Sequence, residues 1–125
     1  MGTVLLVDDD ADLVEAYKLV VTQHGHEVKV AYSAEEARES LKIGRPDVIV
    51  LDVMMERLDS GFELAREANE RFPDLPIIML TSVHQAVPRS MHFAPDETWL
   101  PAVKFVDKPV EPTDLAKEID AALAT

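Results

Sequence analysis

A regular alternation of short apolar runs with amphipathic stretches constrains the fold of this chain more than any other feature. Val4–Val7 is an uninterrupted apolar run, and the residues after it repeat apolar side chains at helical spacing. The same pattern, a short apolar run and then an amphipathic stretch, recurs along the chain. It predicts strands at residues 4–7, 27–32, 48–51, 77–80 and 102–106. Helical patterns separate all of these strands except the last two. Such alternation is typical of an α/β protein whose parallel sheet carries helices on both faces.

Start and stop signals support the predicted helices. Asp10 is placed to cap the first helix, and Gly25 to end it. Ser33 with Glu36, and Ser60 with Glu63, have the spacing of a capping box before the next two helices. Pro112 fits the first turn of a last helix.

Length and composition limit the classes of protein to which the chain can belong. Its 125 residues suffice for one domain, which we assign to residues 1–125, and the 47% apolar content favours a folded core. Cysteine is absent, which excludes disulfides and thiolate chemistry. No apolar stretch is long enough to span a membrane, so we expect a cytoplasmic protein without membrane contact. The net charge of −12 disfavours direct binding to nucleic acid.

Polar residues follow the predicted strands at the points where ligands bind in open α/β sheets. They are Asp8-Asp9-Asp10, Asp52, Thr81-Ser82 and Asp107-Lys108-Pro109. If the first and third strands are neighbours, Asp8, Asp9 and Asp52 converge, and a cation is needed to offset their repulsion. Oxygen ligands from a few carboxylates suit Mg²⁺.

Four motifs together resemble the receiver domain of response regulators in two-component signalling. They are VLLVDDD at 4–10, DVIVLDVMM at 47–55, PIIMLTS at 76–82 and KFVDKP at 104–109, and the resemblance covers essentially the whole chain. It implies a flavodoxin-like, doubly wound, five-stranded parallel sheet in the strand order 2-1-3-4-5. It also implies a phosphorelay protein that takes a phosphoryl group from a sensor histidine kinase or a histidine phosphotransfer protein and acts on a downstream protein target, without being a turnover enzyme.

The resemblance also assigns roles to individual residues. Asp52 would be the phosphoacceptor, with Thr81 and Lys108 as further catalytic groups, and Thr81 with Phe105 would form the conformational switch. The predicted metal is Mg²⁺, for which Mn²⁺ can substitute. Its expected ligands are Asp9, Asp52, the backbone carbonyl of Met54 and, through water, Asp8. Ser82 is small and would leave access to Asp52 open.

Two segments depart from the family pattern. Glu56 stands where a proline is common, and the loop before Gly61 is one residue longer than usual. The segment of residues 83–101 is longer than usual and contains Pro88, Pro95 and Pro101, which predicts an irregular or shortened fourth helix. This disfavours the family's usual dimer through the fourth helix, the fifth strand and the last helix. Val83, two residues past Thr81, predicts slow hydrolysis of the phosphorylated form.

Other interpretations remain open at this point. Asp8, Asp10, Thr81 and Lys108 also mimic the residue order of haloacid-dehalogenase-like phosphohydrolases, although Asp52 precedes the lysine, contrary to that family's pattern. The chain could instead be a receiver-like interaction module that works without phosphorylation, or a flavodoxin-like binding module. His24 and His26 flank a turn glycine, and we expect surface or loop roles for both.

Overall fold

Five parallel strands form one sheet in the computed structural model, in the order β2-β1-β3-β4-β5. The strands are β1 Thr3–Val7, β2 Glu27–Ala31, β3 Val48–Asp52, β4 Ile77–Thr81 and β5 Val103–Asp107. The structure describes residues 2–52, 60–81, 103–107 and 110–124, with the backbone alone for residues 60, 62, 81, 103 and 107. The predicted α/β class and the strand order 2-1-3-4-5 are confirmed.

Helices connect the first four strands, and the N-terminal caps of the first two helices follow the predicted signals. The described helices are α1 Ala11–Gln23, α2 Ala34–Ile43, α3 Ser60–Arg71 and α4 Pro112–Leu123. The Asp10 carboxylate caps α1 by accepting the Leu13 N–H at 3.2 Å. The Ser33 hydroxyl caps α2 by accepting the Glu36 N–H at 3.1 Å. Gly25 follows α1 with a φ of 94°, a backbone conformation that residues with a Cβ rarely adopt.

The sheet separates two apolar clusters. Alternate strand residues face opposite ways, so Leu5 and Val7 pack toward α2 and α3, whereas Val4 and Leu6 pack toward α1 and α4. All five residues of β3 are buried, as expected for a central strand covered on both faces. The core on the α1 and α4 side contains Val14, Tyr17, Val21, Val48, Val50, Ile78, Leu80, Leu115, Ala116 and Ile119.

Several predictions concern residues that the structure does not describe. They are the irregular fourth helix in residues 83–101, the altered loop at Glu56 and the disfavoured dimer, which depends in part on that helix. All three stay predictions. Within the described ranges, no helix combines the length and the apolarity needed to cross a bilayer.

Candidate functional site

The pairing of the two central strands brings two acidic side chains together. Val7 of β1 pairs with Leu51 of β3, so the residues that follow them, Asp8 and Asp52, come side by side at the carboxyl end of the sheet. The backbone N–H of Asp8 donates to the Ala31 carbonyl at 3.1 Å, which extends the contact between β1 and β2 by one residue. Two carboxylates from positions 44 residues apart therefore meet because of strand register.

Asp9 completes a cluster of three carboxylates. One oxygen from each of Asp8, Asp9 and Asp52 lies within 4.8 Å of the others. Asp8 and Asp52 are only 3% and 7% exposed, whereas Asp9 is exposed. The Asp8 Oδ1 also accepts the Asp10 N–H at 3.0 Å, while the Asp10 carboxylate caps α1.

The chemistry of this donor set fits a hard divalent cation. Two largely buried carboxylates and one exposed carboxylate repel one another, and a cation between them relieves the repulsion. Mg²⁺ is usually bound through one or two carboxylates and retains several waters, which the exposed side at Asp9 allows. The residues present are therefore suitable Mg²⁺ ligands.

The charges of the acidic cluster act on a buried tyrosine. The Tyr17 side chain is 2% exposed within the core between α1, α4 and the sheet. Burial raises the pKa of Tyr17 to about 12, and the negative charges of Asp8, Asp52 and Asp10 act in the same direction. The hydroxyl therefore stays protonated at neutral pH, and it donates to the Val110 carbonyl at 3.4 Å.

The remaining predicted site residues are placed only in part. The backbone of Thr81 ends β4 and pairs with Asp107 at the end of β5, directly before Lys108 in the sequence. Phe105 pairs with Met79, and its side chain is 42% exposed, which differs from an ordinary core position. Met54, Ser82, Val83 and Lys108 lie outside the described residues, as does the side chain of Thr81.

Three polar contacts were not predicted from the sequence. Tyr17 falls in the apolar helical repeat that follows the first strand. A buried tyrosine ring needs a hydrogen-bond partner for its hydroxyl, and this was the available signal. His26, expected in a surface or loop role, is 6% exposed, and its Nε2 lies 2.6 Å from Asp120, as the Nδ1 of His24 lies 2.7 Å from the same carboxylate. No sequence signal connects these histidines to a residue 94 or more positions away.

Comparison with known protein families finds one family model that matches most of the chain. The model of the response regulator receiver domain matches residues 4–120. The chain is 44% identical over 82 residues to the transcriptional regulatory protein AfsQ1 of Streptomyces coelicolor, which is 66% of this chain and 36% of that protein. It is 42% identical over 79 residues to the response regulator MprA of Mycobacterium ulcerans, 63% of this chain and 34% of that protein. Each alignment thus spans about a third of the relative's length.

Solved structures resemble the chain over nearly its whole length. The response regulator protein TrrA of Thermotoga maritima, in complex with Mg²⁺ and BeF, has a TM-score of 0.79 and 28% identity and covers 98% of this chain and 100% of its own. A Francisella response regulator receiver domain has a TM-score of 0.80, with coverage of 99% and 98%, and at 23% identity it supports the fold alone.

Proposed function

Because this chain belongs to the response regulator receiver domain family of two-component systems, we propose that it accepts a phosphoryl group on Asp52 with the help of Mg²⁺. The observation that carries the proposal is the cluster of Asp8, Asp9 and Asp52, two of them largely buried, at the carboxyl end of the parallel sheet. The Mg²⁺ and BeF bound to TrrA support the same chemistry by similarity. In this proposal residues 1–125 constitute one receiver domain.

The proposed reaction is a transfer between two side chains. A carboxylate oxygen of Asp52 attacks the phosphorus of a phosphohistidine on the partner protein. The new O–P bond forms as the P–N bond breaks, and the imidazole nitrogen keeps the electron pair and takes up a proton. Bound Mg²⁺ would neutralise charge on the phosphoryl oxygens, and Asp9, Asp52, the Met54 carbonyl and a water held by Asp8 would bind the ion. The receiver catalyses its own phosphorylation and slow hydrolysis, and it is not a turnover enzyme.

Other residues have proposed roles in stabilising charge and in the switch. Lys108 would supply a compact positive charge, and the Thr81 hydroxyl a hydrogen bond, to phosphoryl oxygens that Mg²⁺ does not contact. Ser82 would leave the approach to Asp52 open. The 42% exposure of Phe105 leaves side-chain surface that can become buried when Thr81 moves toward the phosphoryl group, which supports Phe105 as the switch partner of Thr81.

We also infer the protein partners of this chain from the family to which it belongs. The phosphodonor would be a sensor histidine kinase or a histidine phosphotransfer protein, and the readout would be a downstream protein target. The curated relatives are about three times as long as the aligned segment, so their further activities do not transfer to these 125 residues.

The proposal is tested by incubating the protein with a small phosphodonor and Mg²⁺ and measuring intact mass. We expect wild type to gain the mass of one phosphoryl group, and Asp52→Asn to gain none because the nucleophilic carboxylate is gone. Asp74→Asn is the matched control, since Asp74 is an exposed aspartate in the turn before β4, and it should be labelled like wild type.

Three results would argue against the proposal. Labelling of Asp52→Asn equal to that of wild type would place the phosphoryl group elsewhere. Repeated turnover of a phosphate ester would favour the haloacid-dehalogenase-like alternative. A wild-type protein that is never labelled in the presence of Mg²⁺ would favour an interaction module that works without phosphorylation.

A further inference from the structure

We propose that Glu36, on α2, is a positioning residue for the metal site, because its carboxylate holds the peptide group that fixes the backbone of Asp8. The inference rests on the proposed function of Asp8, Asp9 and Asp52 as a Mg²⁺ site. It concerns a side chain outside the acidic cluster, and the hydrogen bonds that carry it join residues of β1, β2 and α2 and the positions directly after the two strands.

Two hydrogen bonds meet at the peptide group between Ala31 and Tyr32. Its N–H, which belongs to Tyr32, donates to the Glu36 Oε1 at 2.9 Å. Its carbonyl, which belongs to Ala31, accepts the Asp8 N–H at 3.1 Å. A peptide group is planar, so a partner that orients the N–H also orients the carbonyl. Because the acceptor from Glu36 is a carboxylate, it also polarises the peptide group and strengthens the hydrogen bond on the carbonyl side.

The hydrogen bond to Asp8 lies where β1 ends and the acidic cluster begins. Val7 pairs with Ala31 at the last register position of the two strands, and the Asp8 N–H extends that pairing by one residue. Asp8 is 3% exposed, and its Oδ1 accepts the Asp10 N–H at 3.0 Å. The Asp8 backbone is therefore held by Ala31, and its carboxylate by the following turn. A displaced Ala31 carbonyl would displace a carboxylate of the acidic cluster.

Capping of α2 does not by itself account for the contact that Glu36 makes. In a capping box, the glutamate at the third helical position bonds to the backbone N–H of the cap residue. Here the cap residue is Ser33, whose hydroxyl accepts the Glu36 N–H at 3.1 Å, but the Glu36 carboxylate reaches the N–H of Tyr32, one residue further back. That N–H belongs to the peptide group that contacts Asp8, so the glutamate connects the start of α2 to the end of β1.

Glu36→Ala tests the inference because it removes the acceptor of the Tyr32 N–H. We expect the Kd for Mg²⁺, measured by calorimetric titration of the unphosphorylated protein with magnesium chloride at constant ionic strength, to rise by about 2- to 10-fold, the effect of one hydrogen bond on an equilibrium. Glu36→Gln retains an acceptor oxygen and should bind Mg²⁺ nearly as tightly as wild type. An equal loss of affinity in both variants would mean that the charge of Glu36 is responsible, and it would overturn the inference.

Two control variants separate positioning from general effects on α2. Glu35→Ala removes the same charge from the same first turn of the helix, where the exposed Glu35 carboxylate lies 3.7 Å from the Arg38 guanidinium. Ser33→Ala removes the hydroxyl that caps α2 and should lower the free energy of unfolding. Both variants should bind Mg²⁺ with the affinity of wild type. A loss of affinity in either variant as large as that of Glu36→Ala would overturn the inference.

Amide hydrogen exchange of the metal-free protein, followed residue by residue by NMR, gives a readout that does not involve Mg²⁺. Glu36→Ala should speed exchange at Tyr32, which loses its acceptor, and at Asp8, whose acceptor carbonyl is no longer held. The amides of β3 should exchange at the wild-type rate. Unchanged exchange at Asp8 would overturn the inference, because the carbonyl would then be fixed without the glutamate.

Failure of this inference is distinguishable from failure of the proposed function. Wild type that binds no Mg²⁺ and is not labelled at Asp52 would overturn both. Wild type that binds Mg²⁺ and is labelled, with a Glu36→Ala variant whose Kd and Asp8 amide exchange equal those of wild type, would overturn the positioning role of Glu36 and leave the phosphoacceptor role of Asp52 intact.

Discussion

At the scale of single residues, the Asp120 carboxylate contacts two histidines that lie near the other end of the chain. Its two oxygens lie 2.6 Å from the Nε2 of buried His26 and 2.7 Å from the Nδ1 of His24. The Gly2 N–H donates to the other ring nitrogen of His26, so the His26 Nε2 carries a proton and donates to Asp120. This arrangement connects β1, the end of α1 and α4.

Asp120→Asn should lower the free energy of unfolding by about 1 kcal/mol, because a partly exposed carboxylate that accepts two hydrogen bonds becomes a neutral amide. Urea denaturation measures the change. Glu15→Gln, which removes the same charge from the exposed surface of α1, should change stability by much less. Equal effects of the two substitutions would mean that the net charge, and not the histidine contacts, is responsible.

The same carboxylate makes stability depend on pH in acid. Hydrogen bonds from His26 and then from His24 hold the pKa of Asp120 below its ordinary value. A lowered pKa in the folded state stabilises the fold at pH values above the ordinary carboxyl pKa, and this contribution is lost as the pH falls through the lowered one. The free energy of unfolding, measured across the acidic pH range, should therefore fall less for Asp120→Asn than for wild type. If it fell equally in both proteins, the lowered pKa of Asp120 would not be the cause of the acid sensitivity.

At the scale of the elements, two glycines that follow helices have opposite conformational requirements. Gly25 after α1 has a φ of 94°, whereas Gly44 after α2 has a φ of −178°, which is extended backbone open to any residue. An added Cβ would meet no atom within 4 Å at either position. Backbone conformation alone therefore distinguishes them.

Gly25→Ala should destabilise the protein by about 1 kcal/mol, because alanine is strained in the left-handed region. Gly44→Ala should be stabilising by about 0.4–1 kcal/mol, because it restricts the unfolded chain without straining the folded one. Thermal or chemical denaturation of the two variants measures both changes. A stable Gly25→Ala protein would mean that the turn after α1 rearranges at little cost.

At the scale of the whole molecule, the charge distribution predicts that stability depends on divalent cations. The net charge is −12, and the strand ends concentrate three carboxylates within 4.8 Å. A cation that binds only the folded state stabilises it by mass action, by about 2.7 kcal/mol when its free concentration is about 100 times its Kd.

Mg²⁺ should therefore raise the melting temperature of wild type above the value in NaCl of equal ionic strength, as measured by differential scanning calorimetry. Asp9→Asn should reduce this rise, because it removes one carboxylate of the cluster. Asp74→Asn, a change to an exposed turn residue, should retain it. A rise of the same size in NaCl would show that general screening, not a specific site, is responsible.

The α/β class and the strand-end acids were predictable from local patterns in the chain, whereas the strand order 2-1-3-4-5 was expected from the family resemblance. Apolar periodicity located the five strands, side-chain chemistry located the caps at Asp10 and Ser33, and the rule that ligands lie at the carboxyl ends of parallel strands indicated Asp8 and Asp52. These features are predictable because each depends on a few neighbouring residues or on a general property of parallel sheets.

Contacts between distant positions depended instead on how the helices pack. The bond between Tyr17 and Val110, and the burial of His26 against Asp120, require a particular rotation and placement of α1 and α4 on the sheet. Apolar periodicity identifies the buried face of a helix, but it does not specify which polar atom on that face meets which backbone or side-chain partner. Those partners follow from three-dimensional packing, which brings together residues more than 90 positions apart.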